Sequence, residues 1–482
     1  LYLNMTKPGE KLILSYSDTN AKGEGISPAY LIGSIRSLYP KLEIENSYYY
    51  PENPEAGIDL FLEKLVQETE KEHEDILEQA DETDAMFGEL YSWYLRNPEY
   101  RSRVQKLVQS AFAGKPKDII SQSVAKALYG EVSPYSATRL ERFAACAFAH
   151  FLQYGMKLTE RVEYEFKPMD MGNVMHEALE SFAEEVRKRG MKWTELTEQE
   201  RNEIADRCLD NIVADYGNTV LKSSARNEYM IERTRRILRR TVWALQKQLE
   251  QGEFQPEGFE VTFGGGRIDR VDIMEDQNKV YVKVIDYKTG NTSFDLVYLY
   301  HGLQLQLMIY LDGALRVEQK KYPDKEIIPA GVFYYNIKDP MIQEKIDADV
   351  EAVSAGLMKE LKMNGLVQAD PELVYRMDSS LGSIPVAFNK DGSFRKNSSV
   401  ADRTQFAVLG RYVRTKIEKI RSSILEGDAE VSPYELGKKN ACTYCPYMTV
   451  CGFDRRLSGY EFRRLKNFSD EELWKAFDRE AE

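Results

Sequence analysis

Several features that define other protein classes are scarce or missing in this chain of 482 residues. The sequence has no run of about eighteen consecutive apolar residues, so it predicts no transmembrane helix. Five cysteines are too few for a disulfide scaffold, which excludes the small disulfide-rich class. The sequence also lacks a Gly-x₄-Gly-Lys-Ser/Thr phosphate-binding loop. We therefore expect that this chain alone does not hydrolyse ATP.

The start of the chain and its charge leave alternatives open. The first residue is Leu1 and no signal-peptide pattern follows, so we expect part of a longer protein or a missing disordered start. The net charge of −13 argues weakly against a nucleic-acid partner, although an acidic region can mask a basic site. Basic stripes suit a phosphate backbone, with an ordinary solvated surface as an equal alternative; they comprise Arg233, Arg235, Arg236, Arg239 and Arg240, then Arg455, Arg456, Arg463, Arg464 and Lys466.

The spacing of apolar residues divides the chain into two regions. Residues 1–130 are predicted to be mainly helical, with a short strand at Lys11–Tyr16, and residues 131–482 to form an α/β region. In the α/β region, strands are predicted within 259–288 and 326–337, and helices at 137–154, 172–188, 195–251, 296–315, 343–363 and 401–426.

The most informative segment is a predicted hairpin, in which two runs rich in β-branched residues flank a turn at Glu275–Asn278. A hairpin that is symmetrical about this turn pairs residue 269 with 284 and residue 267 with 286. Because side chains alternate along a strand, Asp269, Asp286 and Lys288 are predicted to share one face, with the carboxylates as diagonal neighbours.

This set of side chains indicates phosphodiester hydrolysis. Two carboxylates held close together repel each other unless a cation lies between them, and oxygen ligands favour Mg²⁺ or Mn²⁺. Such an ion polarises a phosphate oxygen and lowers the pKa of a bound water, while a lysine orients that water or neutralises developing charge. The alternative is an exposed strand whose charges have no role. It would suffice for a lone Asp-X-Lys, but it accounts less well for the preceding aspartate.

Two helical segments add candidate residues to this site. His176 stands one helical turn before Glu180 and is one of only four histidines, so its neutral imidazole can complete a metal site; a structural histidine is the alternative. Gln306 and Tyr310 are four residues apart on the helix after the lysine strand, and both can project toward the site. Core-facing positions are the alternative for these two residues.

Three of the five cysteines form a C-x₂-C-x₅-C run, Cys442, Cys445 and Cys451. Thiolates at this spacing can bind a metal ion or cluster from one tight loop, and a fourth ligand must come from elsewhere. Cys146 is the better candidate because it lies in a helix at the start of the α/β region, whereas Cys208 is expected to be a buried or incidental thiol. The spacing fits either Zn²⁺ or a [4Fe–4S] cluster, and reduced thiols without a ligand are the alternative.

Taken together, these motifs resemble the RecB-family nucleases. Gly172-x₃-His176-x₃-Glu180, Gly266-x-Ile-Asp269, Asp286-Tyr-Lys288 and Gln306-x₃-Tyr310 follow one another in that family's order. Cys146 with the later cysteine run resembles the iron–sulfur branch, which includes AddB-type subunits and Cas4-like exonucleases. The stretches around Arg139–Cys146 and Ala441–Tyr447 look most like the AddB type, and residues 1–16 look like the end of a superfamily-1 helicase-like core.

The resemblance implies a restriction-endonuclease-like PD-(D/E)XK domain at 131–482, with a central mixed sheet flanked by helices, preceded at 1–130 by a mainly helical, helicase-like region. It implies a Mg²⁺ or Mn²⁺ site on His176, Asp269, Asp286 and the Tyr287 carbonyl, with Lys288 catalytic and Gln306 and Tyr310 beside it. It also implies a [4Fe–4S] cluster on Cys146, Cys442, Cys445 and Cys451.

The function implied is that of a Mg²⁺-dependent DNA exonuclease subunit that degrades one strand during double-strand-break processing and recombinational repair. Its partners would be DNA ends and an AddA-type helicase–nuclease subunit, in the bacterial cytoplasm at the nucleoid. Two alternatives stay open. One is a stand-alone Cas4-like exonuclease, against which the helicase-like first 130 residues argue. The other is a non-catalytic DNA-binding scaffold, against which the intact Asp269, Asp286 and Lys288 argue.

Overall fold

The computed structural model describes most of the chain, which divides into two compact units, Leu1–Ala113 and Gly114–Glu482. The described residues are 5–17, 26–42, 44, 57, 58, 61, 62, 65, 82–111, 119–130, 136–159, 168–215, 224–264, 266–342, 349–456 and 459–481. No helix among them is long and apolar enough to span a membrane.

The described part of the first unit consists of helices and loops. Its helices are α1 (Tyr30–Leu38), α2 (Glu82–Arg96) and α3 (Pro98–Ala111). A small core joins α2 and α3 to a preceding helical segment through Ile58, Phe61, Leu65, Tyr94 and Val104. The strand predicted at Lys11–Tyr16 is wrong, because these residues are exposed and lie outside any strand. An apolar run forms a stable strand only when a neighbouring strand pairs with it.

The second unit contains helices, two sheets, a π-helical turn and a 3₁₀ turn. Its helices are α4 (Gln122–Tyr129), α5 (Ala137–Ala145), α6 (Ala147–His150), α7 (Pro168–Lys188), α8 (Glu198–Asp215), α9 (Ala225–Glu250), α10 (Leu296–Tyr300), α11 (Gln306–Lys321), α12 (Val350–Glu360), α13 (Pro371–Met377), α14 (Arg403–Glu426), α15 (Met448–Cys451) and α16 (Asp470–Ala481). The π-helical turn is Phe151–Gly155 and the 3₁₀ turn is Trp193–Glu195.

The main sheet has six strands in the order β1 (Gln255–Phe263), β2 (Gly266–Asp276), β3 (Lys279–Lys288), β4 (Glu326–Asn336), β5 (Asn364–Gln368) and β6 (Val400–Ala401). Neighbours β1–β2, β2–β3 and β4–β5 are antiparallel, whereas β3–β4 and β5–β6 are parallel. A smaller sheet joins β7 (Tyr434–Leu436), β8 (Lys439–Asn440) and β9 (Arg463–Arg464).

Helices cover both faces of the main sheet. One core packs α7, α8 and α9 against one face, and a second core packs α5, α11 and α14 against the other. The central strand β3 is therefore buried along almost its whole length, as expected of a strand covered on both faces. The predicted fold class, a mixed sheet flanked by helices, is confirmed.

The boundary between the units lies earlier than the predicted one at 130/131. Ala125 and Tyr129 of α4 are buried in the same core as α5 and α14. The Ile120 N–H also donates to the Gly427 carbonyl at 3.0 Å. Helix α4 thus belongs to the second unit. The helicase-like character of the first region stays a prediction.

A break divides the helix that was predicted at 296–315. Helix α10 ends at Tyr300, α11 begins at Gln306, and Gly302 between them has φ of +79°. Glycine adopts this left-handed conformation without the steric cost that other residues incur. The break gives α11 its own N-terminus, which lies beside the ends of β2 and β3.

Candidate active site

The hairpin of β2 and β3 brings the two predicted aspartates together. Its closing pair is Asp276 with Lys279, so the turn consists of Gln277 and Asn278 alone. The register runs from there to Arg270 opposite Ile285. The regular pairing ends there; continued by one residue, the register would bring Asp269 across from Asp286, and the charge of Asp269 is close enough to raise the pKa of Asp286. The predicted diagonal arrangement is wrong by two residues in register, because the turn is centred between Gln277 and Asn278, one residue later than the predicted centre between Asp276 and Gln277.

Both aspartates are removed from water. Asp269 is buried and its Oδ2 accepts a 2.7 Å hydrogen bond from the Tyr287 backbone N–H. Asp286 is 1% exposed. Burial and the charge of Asp269 raise the pKa of Asp286 to about 7. Like charges directly opposite each other on neighbouring strands are destabilising, so this arrangement favours a cation or a proton between them.

Lys288 shares the face of Asp286 and is held by two partners. Its Nζ lies 2.6 Å from Asp286 Oδ2 and donates to Gln306 Oε1 at 2.8 Å. The Gln306 Nε2 in turn donates to Asp286 Oδ1 at 2.8 Å and to the Tyr310 hydroxyl at 2.9 Å. The structure therefore brings Gln306 and Tyr310 of α11 to the same site as Asp286 and Lys288.

His176 reaches the site from α7. Its Nδ1 lies 3.3 Å from Asp269 Oδ2 and 3.9 Å from Glu260 Oε1. Burial opposes a charge on the imidazole, but the hydrogen bond and negative charge of Asp269, with the charges of Asp286 and Glu260, outweigh it and raise the pKa of His176. Glu180 is close enough for its charge to raise the pKa of Glu260.

Glu260 on β1 was missed by the sequence analysis. Its neighbours Phe259 and Val261 pair with Arg270 and Ile268, which places Glu260 opposite Asp269. Burial and the charge of Asp269 raise its pKa to about 7. The available signal was a glutamate in the strand-like run before the aspartate strand, but the strand that pairs with β2 had to be identified first.

The backbone at Glu260 is also unusual. Its φ is +49°, in the left-handed region that non-glycine residues rarely adopt. Arg267 forms an ion pair with its second carboxylate oxygen. Backbone strain of this kind persists where the surroundings impose it, and it concentrates at functional sites.

These groups fit a divalent cation. Ligand atoms of His176, Glu260 and Asp269 all lie within 4.8 Å of one another. Carboxylate oxygens with one imidazole suit Mg²⁺ or Mn²⁺, and a bound cation counteracts both the burial and the repulsion that raise the pKa of Asp286 and Glu260. In an extended strand the N–H and C=O of one residue point to the same side. The Tyr287 carbonyl is therefore directed toward the side where Asp269 accepts the Tyr287 N–H.

Buried ions on the opposite face of the same strands hold the hairpin in place. The Arg270 guanidinium donates to both oxygens of Asp272, at 2.6 and 2.9 Å, and Lys283 Nζ lies 2.9 Å from Asp272 Oδ2. The guanidinium also lies over the rings of Trp193 and Phe259, at 5.5 and 5.7 Å from their centroids. Asp272 is fully buried, and its pKa is lowered because Arg270 and Lys283 outweigh the cost of burying its charge.

Comparison with known proteins agrees with this geometry. The model of the PD-(D/E)XK nuclease superfamily matches residues 134–452. The chain belongs to this superfamily. The matched range contains the whole six-stranded sheet and every candidate residue of the site.

Similar curated proteins share one name, which describes the B-type subunit of an ATP-dependent helicase/deoxyribonuclease. The chain is 40% identical over 507 residues to the protein of Lachnoclostridium phytofermentans, covering all of this chain and 43% of that protein. The protein of Alkaliphilus metalliredigens is 32% identical over 512 residues, and the match covers 100% of this chain and 44% of that protein. The protein of Clostridium acetobutylicum is 31% identical over 510 residues, and the match covers 100% of this chain and 44% of that protein. The chain thus spans less than half the length of these relatives.

Within the superfamily domain, four of the five cysteines line one small cavity, with Cys146 at the end of α5 and Cys442, Cys445 and Cys451 on the later loop. Burial and, to a smaller extent, the neighbouring Cys146, Cys445 and Cys451 raise the pKa of Cys442 to about 12. Cys208 lies in the core of α7, α8 and α9 instead. The predicted group of four therefore faces one cavity, and the predicted outsider lies elsewhere.

The distances between the cysteine sulfurs differ for a zinc ion and for an iron–sulfur cluster. No three cysteine sulfurs in the described ranges lie within 4.8 Å of one another. A tetrahedral Zn²⁺ would need sulfurs about 3.8 Å apart, given its bond length to sulfur. An iron–sulfur cluster takes one cysteine per iron and tolerates wider spacing. The Phe453 N–H also donates to Cys451 Sγ at 3.4 Å, as suits a thiolate ligand.

The arginine stripe on α9 is largely engaged in ion pairs. Arg235 binds Asp210 at 2.7 Å and Arg236 binds Asp339 at 2.7 Å. Arg239 pairs with Asp206. These contacts favour the surface alternative for the three residues, because their charges are already matched by neighbouring acids.

Proposed function

We propose that the chain is the nuclease-bearing part of a B-type subunit of an ATP-dependent helicase–deoxyribonuclease. In this proposal it hydrolyses one strand as an exonuclease at broken DNA ends, beside an AddA-type partner subunit, in recombinational repair. The similarity of the whole chain to relatives of that name supports the assignment. The observation that carries it is the pair of opposed buried aspartates beside a lysine clamped by Gln306.

His176, Glu260, Asp269, Asp286 and the Tyr287 carbonyl would hold the metal ion, for which we propose Mg²⁺ with Mn²⁺ as a substitute. When bound, the ion supplies a water of lowered pKa and charge neutralisation at the phosphate. The Tyr287 N–H fixes the rotamer of Asp269. His176 gives up its proton on binding, because only the neutral imidazole can be a ligand.

Lys288 acts on the phosphodiester itself. Its side chain is 28% exposed, so the ammonium group can donate to a phosphate oxygen or to the attacking water at the mouth of the site. Asp286 and Gln306 hold the Nζ by two contacts of 2.6 and 2.8 Å, which limits the reorganisation needed when charge develops. Tyr310 fixes the Gln306 amide from the far side.

For the second site, we propose a [4Fe–4S] cluster on Cys146, Cys442, Cys445 and Cys451. The cavity that these four side chains share supports this proposal. Such a cluster would join the start and the end of the nuclease domain by coordinate bonds. A cross-link of that span is expected to stabilise the fold by roughly 5 kcal/mol by the chain-entropy estimate for disulfides.

The nuclease proposal is tested with end-labelled single-stranded and duplex DNA. The chain, and the complete subunit with its partner, are incubated with Mg²⁺ or with EDTA. Labels at the 5′ and 3′ ends report which strand is shortened. We expect cleavage with Mg²⁺ that EDTA abolishes and that Asp286→Ala reduces by about a thousandfold or more, as for other essential catalytic groups.

Asp276→Ala is the matched control, because Asp276 is an exposed aspartate at the other end of the same hairpin. This variant should cleave at the wild-type rate. Cleavage that survives Asp286→Ala would show that the site lies elsewhere. Absence of cleavage by the intact complex would favour the non-catalytic scaffold.

A further inference from the structure

Helix α11, which carries Gln306 and Tyr310 into the site, has no N-cap side chain of its own. The position before its first residue is Leu305, which makes no side-chain cap hydrogen bond. The N–H groups in the first turn of a helix have no partner within the helix, so they need acceptors from elsewhere. Glu141 of α5 supplies one from more than 160 residues away in the sequence.

The carboxylate of Glu141 caps α11 at two positions. Its Oε1 accepts the Leu305 N–H at 2.7 Å and the Gln306 N–H at 3.0 Å. A carboxylate at a helix N-terminus is stabilised both by these hydrogen bonds and by the helix dipole. Burial nevertheless raises the pKa of Glu141 to about 7, with the two backbone N–H groups acting in the opposite direction.

The two helices are in close contact around this cap. Leu140, Phe143 and Ala144 of α5 share a buried core with Leu305 and Leu307. Gly302, in the turn before α11, approaches Ala144 so closely that a Cβ at position 302 would lie 3.2 Å from the Ala144 Cβ. The first turn of α11 therefore rests directly on α5.

The first turn of α11 also carries the contacts of Gln306 with Lys288 and Asp286. Gln306 is the first residue of α11, and the same residue that gives its N–H to Glu141 gives its side chain to the site. Its Oε1 accepts from Lys288 Nζ and its Nε2 donates to Asp286. A shift of the Gln306 backbone would move both contacts together.

We propose that Glu141 is a positioning residue for the nuclease reaction. By capping α11 it sets the place of Gln306, and through Gln306 it sets the place of the Lys288 ammonium group. This inference rests on the proposed nuclease function. It adds a residue that acts through the backbone of a neighbouring helix and needs no contact with DNA or metal.

The test compares Glu141→Ala and Glu141→Gln in the complete subunit with its partner, at saturating Mg²⁺. Glu141→Ala removes the acceptor of two backbone N–H groups. Because these hydrogen bonds to a charged group are lost, kcat is expected to fall about tenfold or more. The KM for single-stranded DNA should change less than about twofold. Glu141→Gln keeps an acceptor oxygen and should restore most of kcat. The Kd for Mn²⁺, measured by calorimetry, should be unchanged in both variants.

Two further variants separate positioning from general stability. Glu200→Ala removes a carboxylate that accepts from Thr197 at the start of α8, so it costs a helix cap that lies outside the site. It should lower the melting temperature and leave kcat unchanged. The double variant Glu141→Ala with Gln306→Ala should be no slower than Gln306→Ala alone, because both changes remove the same restraint on Lys288.

The results that overturn the inference are distinct from failure of the proposed function. Wild-type protein without Mg²⁺-dependent cleavage would refute the nuclease proposal. An active wild type with unchanged kcat in Glu141→Ala, or a double variant in which the two losses multiply, would refute the positioning role alone. If Glu141→Ala does not fold, Glu141→Asp takes its place. That variant retracts the carboxylate by one methylene, and wild-type kcat in it would equally refute the role.

Discussion

Lys288 Nζ donates a 2.8 Å hydrogen bond to Gln306 Oε1. This contact links the end of β3 to the start of α11, and the lysine side chain stays partly open to solvent. A free lysine side chain samples many rotamers, and holding it in one costs entropy during catalysis. Because the Gln306 amide already restricts the side chain to one position, the lysine is oriented before the substrate binds.

The first prediction concerns this amide. Gln306→Ala removes the acceptor of Lys288 and the donor to Asp286, which are hydrogen bonds to charged groups. Such bonds contribute about 1.5–3 kcal/mol each, so loss of one in the transition state should lower kcat by about 10- to 100-fold. Steady-state cleavage of single-stranded DNA at saturating Mg²⁺ measures it.

Gln304→Ala is the control for this measurement. Gln304 lies two residues earlier and binds Ser293 and Asp295 in the loop before α10. Its loss should leave kcat within about twofold of wild type, since it makes no contact with Lys288 in the described network. Equal losses in the two variants would mean that Gln306 acts only through local stability.

The second prediction concerns pH and metal affinity. The pKa values of Asp286 and Glu260 are raised to about 7 by burial and by the charge of Asp269, and that of His176 is raised too. All three must lose their protons to become ligands. A fall in pH from 8 to 6 therefore protonates them and should weaken Mg²⁺ binding about tenfold or more.

Thermal unfolding with and without Mg²⁺ measures this effect. The rise in melting temperature that Mg²⁺ produces should be larger at pH 8 than at pH 6, because ligand binding to the folded state stabilises it by mass action. In Asp286→Ala the rise should be small at both values. A Mg²⁺ effect that is independent of pH would contradict the raised pKa values.

The hairpin shows how much the sequence alone could predict. Alternation predicted that Asp269, Asp286 and Lys288 share one face, and helical spacing predicted that Gln306 and Tyr310 lie together. The structure has Lys288 beside Asp286 and Gln306 beside Tyr310. The register was wrong because pairing depends on the exact turn residues, and Gln277-Asn278 is not one of the strongly marked turn sequences. Local patterns therefore predicted on which face of the strand Asp286 and Lys288 lie, but not which residues pair across the hairpin.

Glu260 and Glu141 could not be predicted in the same way. Glu260 becomes part of the site only through the pairing of β1 with β2, and Glu141 only through the packing of α5 on α11. Both are long-range tertiary contacts. A single glutamate in a strand or helix is most often a solvated surface residue. The cysteines have a clearer local signal, because a C-x₂-C-x₅-C run is rare. The structure places this run and Cys146 around one cavity, and the cluster itself stays a prediction.

The third prediction separates two buried cysteines. Cys146→Ser should lower the iron content and the visible absorbance of anaerobically purified protein, and should lower the melting temperature, because it removes one of the four proposed cluster ligands. Cys208→Ser changes a buried thiol in the other core and should leave iron and absorbance unchanged. Colourless wild-type protein that contains stoichiometric zinc would refute the cluster and indicate a zinc site instead.

The last prediction concerns the ions behind the hairpin. Asp272 is fully buried between Arg270 and Lys283, so Asp272→Ala leaves two buried cations without their shared anion. Removal of one partner from a buried ion network typically costs about 3–5 kcal/mol of unfolding free energy. Urea unfolding should show a lower midpoint with an unchanged slope, and the shift in midpoint multiplied by the slope should equal this loss of free energy.

Asp276→Ala on the same strand is the control for this measurement, because its ion pair with Arg376 is exposed and screened by water. Its urea midpoint should stay close to that of wild type. Asp272→Asn, which keeps the shape but not the charge, should be nearly as unstable as Asp272→Ala, because the charge balance rather than the packing is lost. If Asp272→Asn unfolds at the wild-type midpoint, hydrogen bonding alone holds the network. The pairing of β2 with β3, and with it the approach of Asp269 to Asp286, would then not depend on the buried charges.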